Sequence, residues 1–175
     1  GVRVNVEKLV RRYAGRPLAG VVHVGGHLGQ EADAYAALGL SEQVWVEPDP
    51  DAAAALRALV GAMPGACVIE AAAGASASEL ELRRYAGREG ASGGASNWLL
   101  AVSAEGREAW ALVETEAVRV RVDRLDVLLE ERGLCASGRW LFVVDTQGYE
   151  LGVFRGASAM LGRSELVVCE VSEKR

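Results

Sequence analysis

The chain has few of the residues that stabilise small secreted domains or bind zinc. It contains three cysteines, Cys67, Cys135 and Cys169, and two histidines among 175 residues. An odd number of widely spaced cysteines within apolar runs predicts reduced core thiols rather than a disulfide framework or a zinc site. The sequence also has no apolar run of about 18 residues and no signal-like leader. We therefore expect a cytoplasmic protein that does not span a membrane.

Basic residues are too few to form a large positive surface. The chain has 19 Lys and Arg against 24 Asp and Glu, a formal net charge of -5 at pH 7. A nucleic acid partner requires a basic face that neutralises phosphates, so this composition argues against one and favours a small neutral substrate. With 50% hydrophobic residues, we expect residues 1–175 to form a single domain with its own core.

Short apolar runs alternate with helical patterns along the chain, which predicts an α/β fold with a doubly wound, mostly parallel sheet. Asp49 and Pro50 have the residue types of an N-cap and a first helical position. Asp123 and Asp126 are interpreted as caps of a helix closed by Gly133, and one helix is predicted from Gly148 to Leu161. Strands are predicted at 21–24, 44–46, 67–69, 80–83, 118–122, 141–144 and 166–169.

Arg119 and Arg121 alternate with valines and are expected on the solvent side of their strand. The glycine-rich run 88–94 predicts a mobile loop that could cover an active site. Ser96, Asn97 and Trp98 follow this loop and could line a substrate pocket. A loop anchored on a buried tryptophan would give the same pattern.

The strongest functional signal is the turn after the first strand, His23-Val-Gly-Gly-His-Leu-Gly29. Glycines allow the backbone to approach a ligand closely, and the second strand ends in Glu47, about 20 positions after Gly25. That spacing is typical of an acid that binds ribose hydroxyls above the first turn. The pattern predicts a nucleoside-binding crevice, although Glu47 could also be a solvated acid at a strand end.

The class of cofactor is inferred from a glycine that the turn lacks. A dinucleotide fingerprint aligned on Gly26 and Gly29 requires a first glycine where this chain has Val24. Without the tight turn, a pyrophosphate settles less closely on the helix N-terminus. This disfavours a nucleotide-dependent oxidoreductase and favours S-adenosylmethionine, which has no pyrophosphate.

Several segments resemble the FkbM-type S-adenosylmethionine-dependent methyltransferases. The turn 23–29 is similar to the family's Asp-Val-Gly-Ala-Asn-Ile-Gly pattern, and Val46-Glu-Pro-Asp-Pro50 is similar to its second-strand motif. Residues 120–126 and 144–157 resemble its Leu-Asp strand and its Asp-Val-Gln-Gly-Glu-Glu-to-Gly-Ala signature, with Glu70 to Gly74 at the third strand and adenine loop. The resemblance implies a Rossmann-like sheet of the class I methyltransferase type. We expect the family's C-terminal antiparallel hairpin to be absent, because little chain follows Glu170.

The resemblance also implies the site residues. His23 replaces a family acid that helps hold the methionine amino group, so that contact would need backbone, water or a neutral imidazole. The family's strand order would bring Asp145 and Glu170 to neighbouring strand ends roughly 5 Å apart, where they could share a proton or a divalent cation. The implied cofactor-binding residues are His23, Gly25, Gly26, His27, Gly29, Glu47, Pro48, Asp49, Ala71, Ala72, Asp145 and Thr146.

Methyl transfer to a hydroxyl requires alignment and removal of the acceptor's proton. Asp145 is the first candidate base and His27 the second. Glu170 is expected to act as an orienting or metal-sharing carboxylate. Asp145 could instead cap the following helix, and His27 could simply hydrogen-bond the turn.

We therefore expect an O-methyltransferase acting on a small-molecule hydroxyl, of a sugar or a polyketide-like product of secondary metabolism. The alternatives are a nucleotide-dependent oxidoreductase and a noncatalytic binding domain. An exposed sheet edge would allow homo-oligomers.

Overall fold

The structure is a computed structural model, and it describes residues 6–87, 96–98, 112–146 and 148–170. Apolar β-branched runs form the strands, and alanine- and leucine-rich segments form most of the helices between them. In chain order the elements are α1 (Val6–Tyr13), β1 (Gly20–Val24), α2 (Ala32–Ala37), β2 (Glu42–Val46), α3 (Pro50–Val60), β3 (Ala66–Ile69), β4 (Ala72–Gly74), β5 (Ser78–Gly87), β6 (Ser96–Trp98), β7 (Leu112–Arg124), α4 (Leu125–Glu130), β8 (Trp140–Val144), α5 (Glu150–Arg155), α6 (Ser158–Arg163) and β9 (Ser164–Cys169).

The main sheet has five strands in the order β3-β2-β1-β8-β9. Every pairing between neighbouring strands of this sheet is parallel. All residues of β1 and β8 are buried, as expected for strands that are largely apolar and covered on both faces. The doubly wound, mostly parallel sheet predicted from the sequence is confirmed.

Alternate residues of each strand face two separate cores, because side chains in a strand point to opposite faces in turn. On one face, Val22 and Val24 of β1 pack with Leu125 and Leu128 of α4. On the other face, Val21 packs with Tyr35 of α2 and Leu56 of α3. The sheet is therefore covered on both sides, and its ligand-accessible groups are expected at the strand ends.

Helix α3 begins as the sequence predicts. The Asp49 carboxylate accepts hydrogen bonds from the N–H groups of Asp51 and Ala52, and Pro50 takes the first helical position. These bonds satisfy donors that have no partner within the helix. The helix start is thus fixed at the residue that directly follows the Glu47-Pro48 turn.

A second sheet has its strands in the order β4-β7-β5-β6. Its main component is a long antiparallel pairing of β5 with β7, from Ser78 opposite Val122 to Gly87 opposite Leu112. The sequence predicted a strand only at 80–83, which was too short. The exposed positions of Arg119 and Arg121 are confirmed. The predicted loop at 88–94 lies outside the described residues.

Two helix predictions were wrong. The single helix expected from Gly148 to Leu161 is divided into α5 and α6 at Gly156, whose carbonyl accepts from Asp126 N–H at 3.1 Å. Arg124, not Asp123, is the N-cap of α4. The Asp123 carboxylate instead accepts from Arg121, whereas Asp126 accepts from the Ala159 and Met160 N–H groups at the start of α6.

Candidate functional site

The ends of four neighbouring strands form one edge of the main sheet. Val24 of β1 is in register with Val46 of β2 and with Val144 of β8, and Val144 is in register with Cys169 of β9. The next residue on each strand is polar or glycine, and these residues are Gly25, Glu47, Asp145 and Glu170. The chain crosses to opposite sides of β1 at this edge, and such a switch point opens a crevice in doubly wound folds.

The glycine turn after β1 packs closely against its neighbours. Gly25 has φ +86°, and a Cβ there would lie 1.8 Å from the Asp145 carbonyl oxygen. A Cβ on Gly26 would lie 2.9 Å from the Trp45 ring, and one on Gly29 would lie 2.5 Å from Leu56 Cδ1. These glycines therefore allow the turn to seat on β2, α3 and β8. The sequence alone indicates only that a ligand can approach them closely.

Glu47 joins the glycine turn to the turn after β2. The residue is only 5% exposed, and its two carboxylate oxygens accept from His27 N at 2.7 Å and Asp49 N at 2.8 Å. Burial, with a smaller contribution from the charge of Asp49, raises the pKa of Glu47 to about 7, although the two N–H donors oppose this shift. Each oxygen of a carboxylate can accept a second hydrogen bond, so Glu47 has acceptor capacity beyond these two bonds.

Asp49 also forms an ion pair with the second sheet. Its two oxygens accept from Arg84 Nε and Nη2 of β5, both at 2.7 Å. Burial disfavours the charged carboxylate, but the hydrogen bonds from Arg84 and from the start of α3 hold the pKa of Asp49 below its usual value. Asp49 therefore remains charged at neutral pH and connects the two sheets next to Glu47.

His23 lies in the core rather than on the open edge. Its Nδ1 is 2.9 Å from the Tyr35 hydroxyl, and its ring stacks on Trp45 with centroids 5.0 Å apart. Burial lowers the pKa of His23 to about 4, so the imidazole is neutral at pH 7. The sequence left backbone, water or a neutral imidazole as possible contacts to the cofactor; the structure places the imidazole against Tyr35 and Trp45 in the core.

The three candidate catalytic residues differ in exposure. Asp145 is half-buried and Glu170 is exposed, at the ends of the adjacent strands β8 and β9. His27 is half-buried with φ +44°, and its Nδ1 lies 3.4 Å from Gln30 Nε2. Helix α5 begins at Glu150, and its N-cap position is Tyr149 rather than Asp145.

The remaining predicted cofactor residues lie around the same edge. Pro48 is half-buried beside Glu47, Ala71 is buried between β3 and β4, and Ala72 is the buried first residue of β4. The Thr146 hydroxyl donates to Glu150 Oε1 at 3.2 Å, and the same oxygen accepts from Gly148 N at 2.7 Å. Glu150 thus orders the chain after Asp145.

Sequence reasoning missed Arg84, Tyr35 and Glu150. Arg84 and Tyr35 make their contacts with residues that are distant in the sequence, and no local pattern marks such a partner. The capping role of Glu150 had a local signal, since an acid in the first turn of a helix commonly accepts from nearby N–H groups.

Metal-binding clusters and membrane-spanning helices are both absent from the described part of the chain. There, no three side chains of His, Cys, Asp or Glu are grouped so that they could hold a metal ion. No helix within those residues combines the length and apolar character needed to cross a bilayer.

The strand order and the acid-ended second strand define a Rossmann-like α/β fold of the methyltransferase type. Residues 23–175 match the family model of the methyltransferase FkbM domain. The chain belongs to the FkbM methyltransferase family.

A solved structure has the same fold. The methyltransferase FkbM from Methylobacillus flagellatus KT superposes with a TM-score of 0.50 and 13% sequence identity. The match covers 86% of this chain but 32% of that chain, so this chain spans about a third of its relative's length. No curated protein matches the chain significantly.

Proposed function

We propose that the protein is an S-adenosylmethionine-dependent O-methyltransferase that acts on a hydroxyl group of a small molecule. The observation that carries this proposal is the position of Glu47. Its buried carboxylate ends β2 and accepts the His27 N–H of the glycine turn. An acid fixed at that point can accept both hydroxyls of a ribose bound above β1.

The proposal assigns a part of the cofactor to each group of residues along the sheet edge. Glu47 would bind the ribose, the turn from Gly25 to Gly29 would lie beneath the sulfur-bearing tail, and Ala71 and Ala72 would border the adenine. Asp145 and Thr146 would complete the other side at the end of β8. When bound, S-adenosylmethionine supplies a methyl group that its sulfonium already activates for displacement.

The protein must then align the acceptor and take up its proton. In the proposal, the half-buried Asp145 carboxylate accepts that proton, and Glu170 on the adjacent strand orients the acceptor. His27 is the second candidate base. A positioned general base contributes about 10²- to 10⁴-fold to the rate, which is needed only where the acceptor hydroxyl is weakly acidic.

The acceptor is proposed to be a sugar or a polyketide-like metabolite. The acidic balance of the chain, with a net charge of -5, favours a neutral or cationic small molecule over a polyanion. The second sheet contributes Arg84 to the edge beside Glu47, so we propose that acceptor specificity resides in this sheet.

Calorimetric titration with S-adenosylhomocysteine tests the cofactor site. We expect Glu47→Ala to weaken binding by about 1.5–3 kcal/mol, the range for hydrogen bonds to a charged group. Glu42→Ala, at the exposed opposite end of β2, is the matched control and should bind like the wild type. Equal affinities for all three proteins would disprove the role of Glu47. Absence of binding to the wild type would refute the enzyme proposal.

Turnover needs a separate measurement. We expect transfer of a labelled methyl group from S-adenosylmethionine to at least one member of a panel of hydroxylated sugars and polyketides. If the cofactor binds tightly but no member of a broad panel is methylated, a noncatalytic binding domain becomes the better explanation.

A further inference from the structure

Arg84 occupies a distinctive position in the second sheet. It lies where the register between β5 and β7 shifts, between Arg84 and Tyr85. An irregularity of this kind re-aims a side chain out of the regular alternation. The guanidinium group extends beyond the second sheet and contacts Asp49. Asp49 directly precedes α3, which packs on the main sheet.

The guanidinium group is surrounded by carboxylates. Besides its two bonds to Asp49, Arg84 Nη1 lies 2.9 Å from oxygens of both Asp51 and Glu116. The Asp49 side chain is only 2% exposed and that of Arg84 19% exposed. A buried carboxylate of this kind depends on its partner, because removing one member of such a pair leaves an uncompensated buried charge.

Asp49 passes the connection on to the candidate cofactor site. Its backbone N–H donates to Glu47 Oε1 at 2.8 Å, and the His27 N–H donates to Glu47 Oε2 at 2.7 Å. An unbroken chain of hydrogen bonds therefore runs from Arg84 in the second sheet, through Asp49 and Glu47, to the glycine turn. Loss of the bonds between Arg84 and Asp49 would therefore change how Glu47 and the glycine turn are held.

We propose that Arg84 is a positioning residue for the cofactor site: by clamping Asp49 it holds the Glu47 carboxylate in place for the ribose hydroxyls. The inference rests on the proposed function and adds to it that tight cofactor binding requires the second sheet to be docked on the turn after β2. In this proposal Arg84 acts through Asp49 and not by contact with the cofactor.

The neighbouring Arg83 provides a matched control. It lies on the same strand and also pairs with a carboxylate: its Nη1 donates to both oxygens of Glu114 of β7, at 2.9 and 3.1 Å. Its side chain is 36% exposed and its partner 35% exposed, so this pair joins two strands of one sheet and does not reach Glu47. Exposed pairs of this kind contribute little to stability.

The first test is the affinity for S-adenosylhomocysteine by calorimetry. We expect Arg84→Gln to raise Kd about tenfold, equivalent to about 1.4 kcal/mol, and Arg83→Gln to leave Kd unchanged. Arg84→Lys keeps the charge but not the two parallel bonds, so it should restore only part of the affinity. Thermal unfolding of each variant establishes which ones fold. If Arg84→Gln does not fold, the affinity of Arg84→Lys decides the test.

The second test is the pH dependence of that affinity. In the wild type we expect affinity to rise as Glu47 ionises, with the midpoint near the raised pKa of about 7. The charge that acts on Glu47 directly is that of Asp49 on its own turn, whereas His27 after β1 contacts Glu47 through its backbone N–H. Arg84 from β5 bears on Glu47 through its ion pair with Asp49. Arg84→Gln removes the positive partner of the negative Asp49 and should move the midpoint to higher pH. Asp49→Asn, which can still cap α3, removes that charge and should move it to lower pH.

The outcomes separate the two proposals. If the wild type does not bind S-adenosylhomocysteine, the proposed function fails and this inference fails with it. If the wild type binds but the Arg84 variants match Arg83→Gln in affinity and midpoint, the proposed function stands and the positioning role is wrong. Weaker binding together with midpoint shifts of opposite sign for Arg84→Gln and Asp49→Asn would support it, because general loosening of the fold would not produce opposite signs.

Discussion

At the scale of single residues, two buried groups titrate in opposite senses. Burial raises the pKa of Glu47 to about 7 and lowers the pKa of His23 to about 4. A raised pKa of an acid means that the native state holds its proton more tightly than the unfolded chain. A lowered pKa of a base means that it holds the proton less tightly. The two groups therefore oppose each other between about pH 4.5 and about pH 6.5.

The signs follow from linkage. The contribution of Glu47 to the free energy of unfolding is fully present below its unfolded pKa of 4.5 and is lost as pH rises through about 7. The contribution of His23 is present above its unfolded pKa of 6.5 and is lost as pH falls through about 4. The combined contribution of these two residues to the free energy of unfolding should therefore vary little with pH. Either residue alone should make the free energy of unfolding depend on pH.

Substitution of either residue should reveal the pH dependence that the other residue contributes to the free energy of unfolding. We expect the destabilisation caused by Glu47→Gln to shrink by about 1–3 kcal/mol between about pH 5 and about pH 8, because the variant has no carboxylate to ionise. The destabilisation caused by His23→Phe should shrink in the opposite direction, as pH falls from about 7 to about 5. Urea unfolding at several pH values measures both. Parallel pH profiles for the wild type and the variants would show that neither group is buried as described.

At the scale of secondary-structure elements, the break between α5 and α6 is the clearest departure from the sequence pattern. A Cβ on Gly156 would lie 2.0 Å from the Gly74 carbonyl oxygen of β4 and 3.0 Å from Arg124 Cα. The backbones of α5, β4 and β7 thus meet at a point where only glycine fits. The break between α5 and α6 lets β4 and β7 of the second sheet pack closely against the chain at Gly156.

Gly156→Ala should therefore be strongly destabilising. We expect a loss of about 2–3 kcal/mol in the free energy of unfolding, the upper part of the range for overpacking, because the obstructing atoms belong to the backbone. Gly162→Ala is the matched control, since a Cβ at that position would point into open space, with no neighbouring atom within 4 Å. It should stabilise α6 by about 0.4–1 kcal/mol. Chemical denaturation compares them, and similar effects for both would contradict the close contact.

The elements differ in how well local sequence predicted them. The start of α3 was predictable because Asp49 and Pro50 signal their roles without any distant partner. The length of β5 was not predictable, because the alternation ends at Arg83-Arg84. The register shifts between Arg84 and Tyr85, and Tyr85 is buried again. The helix break at Gly156 depends on β4, whose approach no periodicity encodes.

At the scale of the whole molecule, the strand order was predictable from right-handed crossovers and the family resemblance. That order was enough to bring Glu47, Gly25, Asp145 and Glu170 to one edge. The sequence did not predict the hydrogen bonds from the glycine turn and the second sheet that converge on Glu47 and Asp49. These bonds link residues up to 35 positions apart, and they depend on how the sheets dock.

Because the proposed cofactor would contact both turns at this edge, its binding should stabilise the entire fold. A ligand that binds only the native state at about 100 times its Kd adds about 2.7 kcal/mol to the free energy of unfolding. We expect S-adenosylhomocysteine at that excess to produce this stabilisation in urea unfolding and to raise Tm. NADH at the same concentration should produce neither effect, since Val24 stands where a dinucleotide site needs its first glycine. Stabilisation by NADH but not by S-adenosylhomocysteine would instead favour the oxidoreductase alternative, and Glu47→Ala should reduce whichever ligand effect depends on the ribose.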